Sequence, residues 1–347
     1  MEVLAIFWTH VIPFILVLTV LVFVHELGHY LAARRCGIRV EVFSIGFGPE
    51  IYGLTGKSGT RWKLCAIPFG GYVRMFGETQ PDDEAIGEIQ SNDEEVSFYK
   101  KSLGQRSWVV FAGPLANFLF AVVLLAALFA IAGQPHTPAN VGKVKANSAA
   151  EIAGLKQGDV FLKIDDIEIK NFEEVRRIVQ SSPETQLKIL VKRNSREISL
   201  VAIPKALEVT SYGSKKTIGL LGVSRSGEDM NFVRLNPFEA IWEASLRTVA
   251  LTGKILDAVG QIISGERDAK ELGGPLRIAQ ISGDMAQAGI ISLVQFAAIL
   301  SINLGLINLF PIPLLDGGHL FFYVVEAIRG RPVGQRTMTN SLNIGLV

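Results

Sequence analysis

Cysteine is nearly absent: the 347-residue chain has two, Cys36 and Cys65. Two cysteines without metal-knuckle spacing exclude a disulfide-stapled scaffold and a thiolate zinc finger. A surplus of either charge is missing too, because 34 Lys and Arg offset 33 Asp and Glu for a net charge of +1. That balance gives no basic field for nucleic acid, and any electrostatic signal must be local. Charged residues are sparse overall, 19% against 49% hydrophobic, and the apolar residues are gathered into blocks.

The first block runs from Val3 to Val24 without a formal charge and continues through Leu31, Ala32 and Ala33. Its basic residues, Arg34 and Arg35, follow the apolar stretch, whereas a signal peptide carries them before it. A retained transmembrane helix is expected. The second block, Trp108 to Ala132, and the third, about Ala288 to Phe310, are also long enough to span, since a helix needs about 20 residues. Arg34 and Arg35, then Lys100, Lys101 and Arg106, then Arg329, Arg331 and Arg336 fall on one side if each block crosses once. The positive-inside rule makes that side the cytoplasm, and puts the segment 134–287 outside. A fourth apolar stretch begins near Ser341, too close to Val347 to span.

Between the first two blocks, Val40–Ile45 and Arg61–Ile67 read as strands around a Gly56-Lys57-Ser58-Gly59 turn. Their apolar content predicts a small sheet pressed against the membrane. Glu78 to Glu95 is acidic and reads as a solvated loop. In the outside segment, Ala153-Gly154-Leu155-Lys156-Gln157-Gly158-Asp159-Val160, then Ile164-Asp165-Asp166-Ile167-Glu168-Ile169 and the Asn171-Phe172 helix start resemble a PDZ domain. Such a domain takes an extended peptide as an added strand or acts as a steric filter, and the sequence leaves both open. From Pro237 to Ile263 apolar residues recur at helical spacing, interrupted by Glu239, Glu243, Arg247, Lys254 and Asp257. This predicts an amphipathic helix on the membrane surface or on the catalytic core.

The chemistry is concentrated in His25-Glu26-Leu27-Gly28-His29 of the first block. Histidines four apart lie on one helical face and can share a Zn²⁺, with the intervening glutamate placed to work on bound water. Catalytic zinc sites usually take three protein ligands. The third is sought in Asn308-Leu309-Phe310-Pro311-Ile312-Pro313-Leu314-Leu315-Asp316-Gly317-Gly318-His319, where an ionisable group at membrane depth is a functional candidate. The two prolines would let Asp316 project back toward the first helix; His319 rivals it on spacing, and a helix-capping role for Asp316 is the bland alternative. Asn117 reads as an interhelical hydrogen-bonding residue, with Gly113 allowing close approach.

HELGH in the first block, Gly113-Pro114-Leu115-Ala116-Asn117 in the second, one PDZ-like segment, and Asn308 to Asp316 in the third together resemble the site-2 protease family of intramembrane zinc proteases. The resemblance covers essentially the whole chain. It implies a polytopic α-helical membrane protein with three to four transmembrane helices, a membrane-associated β-region and an inserted α+β PDZ domain. It implies that His25, His29 and Asp316 bind zinc, that Glu26 activates the zinc-bound water, and that Asn308 holds the substrate backbone or the developing oxyanion. It further implies a bacterial inner-membrane enzyme acting on transmembrane protein substrates, such as anti-sigma factors or signal-peptide remnants, within the lipid bilayer, with no nucleic acid partner. A zinc transporter and an inactive scaffold are the rival classes.

The expected organisation is a first transmembrane helix in 1–35, a β-region in 36–77, an acidic cytoplasmic loop in 78–105 and a second transmembrane helix in 106–134. A PDZ domain in 138–206, a linker in 207–236, and an amphipathic helix with its connection in 237–287 follow. A third transmembrane helix with the Asn308–Asp316 motif in 288–328 precedes a cytoplasmic loop and the start of a truncated fourth helix in 329–347.

Overall fold

A computed structural model of the chain describes residues 7–78, 94–136, 139–169, 171–211, 214–225, 231–266 and 274–331. Most of the expected acidic loop, 79–93, and the start of the expected fourth helix, 332–347, lie outside the described residues. The chain divides into two compact units, one of residues 1–128, 237–256 and 272–347, the other of residues 129–236 and 257–271.

In the first unit a π-helical turn, Phe7–Val11, leads into α1 (Ile12–Arg35). Pro13 stands just after the π-helical turn in a helical run continuous from Phe7 to Arg35, and Arg34 and Arg35 stand at the carbonyl end. Two long strands follow where short ones were expected, β1 (Val40–Thr55) and β2 (Arg61–Met75). They fold back on each other: Val42–Ile45 is partnered by Gly71–Arg74 on one side and Arg61–Leu64 on the other, while Glu50–Thr55 takes the remaining side of Arg61–Cys65. Val42–Ile45 is thereby internal, and the margins of the sheet are Glu50–Thr55 and Gly71–Met75. One face is anchored by Val40, Phe43, Val73 and Met75, which join Ala32 and Ala33 of α1 in a single buried cluster. Phe47, Ile51, Tyr52, Leu54, Ile67 and Phe69 remain exposed. So many apolar side chains left uncovered fit a surface that meets lipid.

The helix α2 (Leu103–Ile131) starts with a reciprocal cap. The Gln105 amide donates to Ser102 Oγ at 3.3 Å, and the Ser102 amide donates to Gln105 Oε1 at 3.2 Å. It crosses α1 at close range, because any side chain at Gly28 would strike the carbonyl oxygen of Ala112.

The second unit holds β3 (Gln134–His136), β4 (Val141–Val144), α3 (Ala149–Ile152), β5 (Val160–Ile164), β6 (Ile167–Glu168), α4 (Phe172–Gln180), β7 (Leu187–Arg193) and β8 (Arg196–Ala202). Four of these strands form an antiparallel sheet in the order β6-β5-β7-β8. Ser148 and Asn171 cap the two helices by accepting the amides of Glu151 and Glu174. Phe161, Ile164, Val175, Ile189 and Val191 make up the centre of the core.

The expectation of a linker in 207–236 is corrected. That stretch lies largely within strands: most of β9 (Lys205–Ser211), then β10 (Ser214–Leu220), β11 (Val223–Arg225) and β12 (Asn231–Val233). β9 pairs with β10, β11 with β4, and β12 with β3. Leu221, 2% exposed, completes the core. The reason is backbone satisfaction: among the described residues of 138–206 no strand pairs with β4, and β11 supplies the partner.

The chain continues through α5 (Pro237–Ile263), α6 (Pro275–Gln287), α7 (Ile290–Leu309) and α8 (Asp316–Arg329). Along α5 the buried residues are Ala240, Ala244 and Thr248, spaced by four, while Phe238, Trp242 and Val249 are exposed, an amphipathic arrangement as expected. The connection that was to follow it is itself helical, as α6. Residues 288–328 are likewise two helices, separated where Pro311 and Pro313 offer no amide to continue α7. Among the described residues, three helical stretches are long and apolar enough to cross a membrane: Phe7–Arg35, Leu103–Ile131 and Ile290–Leu309.

Candidate metal centre

The helical repeat of α1 puts His25 and His29 one above the other, both 8% exposed, with ring centroids 4.8 Å apart. Their Nε2 atoms face each other at 3.2 Å. Asp316 Oδ2 lies 3.1 Å from His25 Nε2 and 3.4 Å from His29 Nε2. Asp316 is the first residue of α8, whose capping position is Leu315, and it makes no capping hydrogen bond. The break at Pro311 and Pro313 thus brings a carboxylate from a distant segment onto the two imidazoles. His319 is not part of this triad.

The donor set fits a zinc ion. His29 Nδ1 sits 2.9 Å from the carbonyl oxygen of Val109, so the neutral ring carries its proton there and turns a lone pair inward at Nε2. Asp316 Oδ2 is buried and receives no hydrogen bond. Converging acceptors need a cation between them. Ligands about 2.0–2.1 Å from a tetrahedral zinc are separated by roughly 3.3 Å, which matches the three distances here.

Around the triad, Asn308 near the end of α7 brings its Nδ2 within 3.5 Å of His25 Nε2. Glu26, half-buried, lies beside the β2 margin with the Val73 backbone amide as a neighbour. Gly71 of the same margin leaves so little room that an added Cβ would lie 3.3 Å from Glu26 Cγ. All five expected site residues, His25, Glu26, His29, Asn308 and Asp316, therefore meet in one place.

Two further contributors were not among the expected site residues, Asn117 having been read as a helix-packing residue. Asn117 of α2, fully buried, places Nδ2 3.1 Å from His25 Nδ1, so it touches the site as well as the helix interface. Val109 contributes through its main chain, which no side-chain pattern reveals. An asparagine within an apolar helix was the available signal for the first.

A model of peptidase family M50 matches residues 13–347. The chain belongs to peptidase family M50. A relative in Agrobacterium fabrum that carries a zinc-metalloprotease name is 43% identical over 97% of this chain and 92% of its own. A similarly named protein of Rickettsia conorii is 37% identical, over 97% and 94%. The metalloprotease MmpA of Caulobacter vibrioides is 33% identical, over 96% and 91%. Among solved structures, the PDZ domain of an SdrC-like protein from Listeria monocytogenes aligns with 26% of this chain and 90% of that one at 19% identity and a TM-score of 0.21, too slight a likeness to argue from. This M50 peptidase is a zinc metalloprotease and an integral membrane protein.

Proposed function

We propose that this M50 peptidase cuts peptide bonds within the transmembrane segments of single-span membrane proteins, with His25, His29 and Asp316 holding the zinc and Glu26 as general base. The observation that carries the reading is the meeting of three acceptor atoms, two on an apolar helix and one on a helix far away in sequence, beside a glutamate. Zinc at such a site supplies Lewis acidity toward a carbonyl and lowers the pKa of water. Glu26 accepts the proton of the attacking water and returns it to the departing amine. The Asn308 amide is available to the substrate backbone or the developing oxyanion.

A helical substrate hides its carbonyls in internal hydrogen bonds and must become extended first. A strand laid along Gly71–Met75 would pass Glu26, which supports this margin as the place where the unwound segment pairs. In this reading the basic clusters stay in the cytoplasm of a bacterial cell and the PDZ-like unit lies outside, admitting substrates such as anti-sigma factors or signal-peptide remnants by peptide capture or by size.

The test is Glu26→Gln in the full chain, reconstituted with a single-span substrate. The expected result is a normal zinc content with cleavage abolished. Zinc transport or scaffolding that survives the change, with no cleavage by the parent, would replace the protease reading.

A further inference from the structure

If both imidazoles meet the metal through Nε2, each ring must carry its proton on Nδ1 and needs an acceptor there. For His29 that acceptor is the carbonyl oxygen of Val109. For His25 the group at Nδ1 is the Asn117 side-chain amide, 3.1 Å away. In the orientation of the structure it presents Nδ2, a donor. That orientation would take the Nδ1 lone pair and push the proton onto Nε2, the atom facing Asp316 and His29. One end of the buried amide lacks a partner in either orientation, Oδ1 in this one. A half-turn of the amide exchanges oxygen and nitrogen, keeps one end paired with His25, and removes the conflict with the metal.

We propose that Asn117 is a positioning residue for the metal ligand His25, accepting the Nδ1 proton through Oδ1 and so directing the Nε2 lone pair into the centre. The proposal rests on the reading of His25 as a zinc ligand. Asn117 is 0% exposed, so no bulk water replaces its oxygen when it is removed. One contact between the helices at this position is made through the main chain, because Ser301 Oγ of α7 donates to the Asn117 main-chain oxygen at 2.8 Å. Partners of this kind typically govern 10–100-fold in metal affinity.

The experiment measures zinc affinity of the full chain in detergent by competition with a chromophoric chelator, for the parent, Asn117→Asp, Asn117→Leu and His25→Ala. Asp keeps the acceptor and lacks the N–H donor; Leu keeps the volume and lacks both. The expected result is parental or tighter binding for Asn117→Asp and a loss of about 10–100-fold for Asn117→Leu. Weak binding by Asn117→Asp comparable to that of Asn117→Leu would overturn the proposal in favour of a donor or packing role. Parental binding by Asn117→Leu would overturn it outright. Parental binding by His25→Ala would instead refute the ligand reading beneath it. Thermal unfolding of the zinc-free variants separates a lost acceptor from a lost fold, and if Asn117→Leu does not fold, Asn117→Asp against the parent decides.

Discussion

Gly113 of α2 stands directly against the imidazole of His29: a Cβ there would overlap the Nε2, Cε1 and Cδ2 atoms. The glycine is needed for space, so that α2 can approach the ligand helix and Val109 can reach His29 Nδ1. Gly113→Ala is expected to displace the ring and lower zinc affinity about 10–100-fold. Zinc titration of the purified chain checks this, with Gly104→Ala, where nothing lies within 4 Å of the added Cβ, expected to bind as the parent does.

Arg106 at the start of α2 and Glu326 in α8 form a mostly buried ion pair, with Nη2 to Oε1 at 2.6 Å and Nη1 to Oε2 at 3.3 Å. The pair holds the helix whose first residue is Asp316. Removing one partner leaves the other charge buried, which costs about 3–5 kcal/mol. Glu326→Gln is therefore expected to lower the thermal unfolding temperature in detergent and to weaken zinc binding along with it. The exchanged pair, Arg106→Glu with Glu326→Arg, should recover part of both.

The two margins of the β1–β2 sheet differ in what they face. Val73→Pro removes a backbone amide from the margin beside Glu26 and blocks a strand from adding at Gly71–Met75. Cleavage of a reconstituted substrate should fall by on the order of 10²-fold while zinc content stays full. Tyr52→Pro on the opposite margin should leave cleavage near the parental rate. Equal losses from both changes would argue against pairing at the Gly71–Met75 margin.

In the second unit Asp159 is fully buried and accepts from Arg193 Nε and Nη2, each at 2.7 Å. Burial pushes its carboxyl up, but the hydrogen bonds from Arg193 and from the Lys156 amide outweigh it and hold the group below the ordinary carboxylate value. A group depressed in the folded state contributes stability above its unfolded value, near pH 4, and that contribution is lost as pH falls through the folded value. The unit is expected to lose stability in that acid window, and Asp159→Asn to lower it by about 3 kcal/mol at neutral pH and flatten the acid dependence. Urea unfolding followed across pH reads both.

Much of this protein is visible in its residues one segment at a time, because the signals are local. The His25-x-x-x-His29 spacing needs only the helical repeat, the three apolar stretches need only their length, and the Asn171 cap with the helix after it needs only neighbouring residues. The strands of 207–236 were not legible in this way. They are short, and the reason β11 exists is an unpaired edge on β4, more than 70 residues earlier.

The sequence by itself determined the chemistry on offer: two imidazoles and a carboxylate on one apolar helix, and a second carboxylate after two prolines. Only the tertiary structure decided that Asp316, with His319 left out of the triad, meets the imidazoles, that Asn117 and Val109 are at the Nδ1 atoms, and that the Gly71–Met75 margin is the one beside Glu26. The physical reason is that a metal centre is built from separations of about 3 Å. Separations that short between residues as many as 291 positions apart depend on how helices pack, where a glycine such as Gly113 lets two backbones close and a main-chain carbonyl takes part without any side chain to announce it.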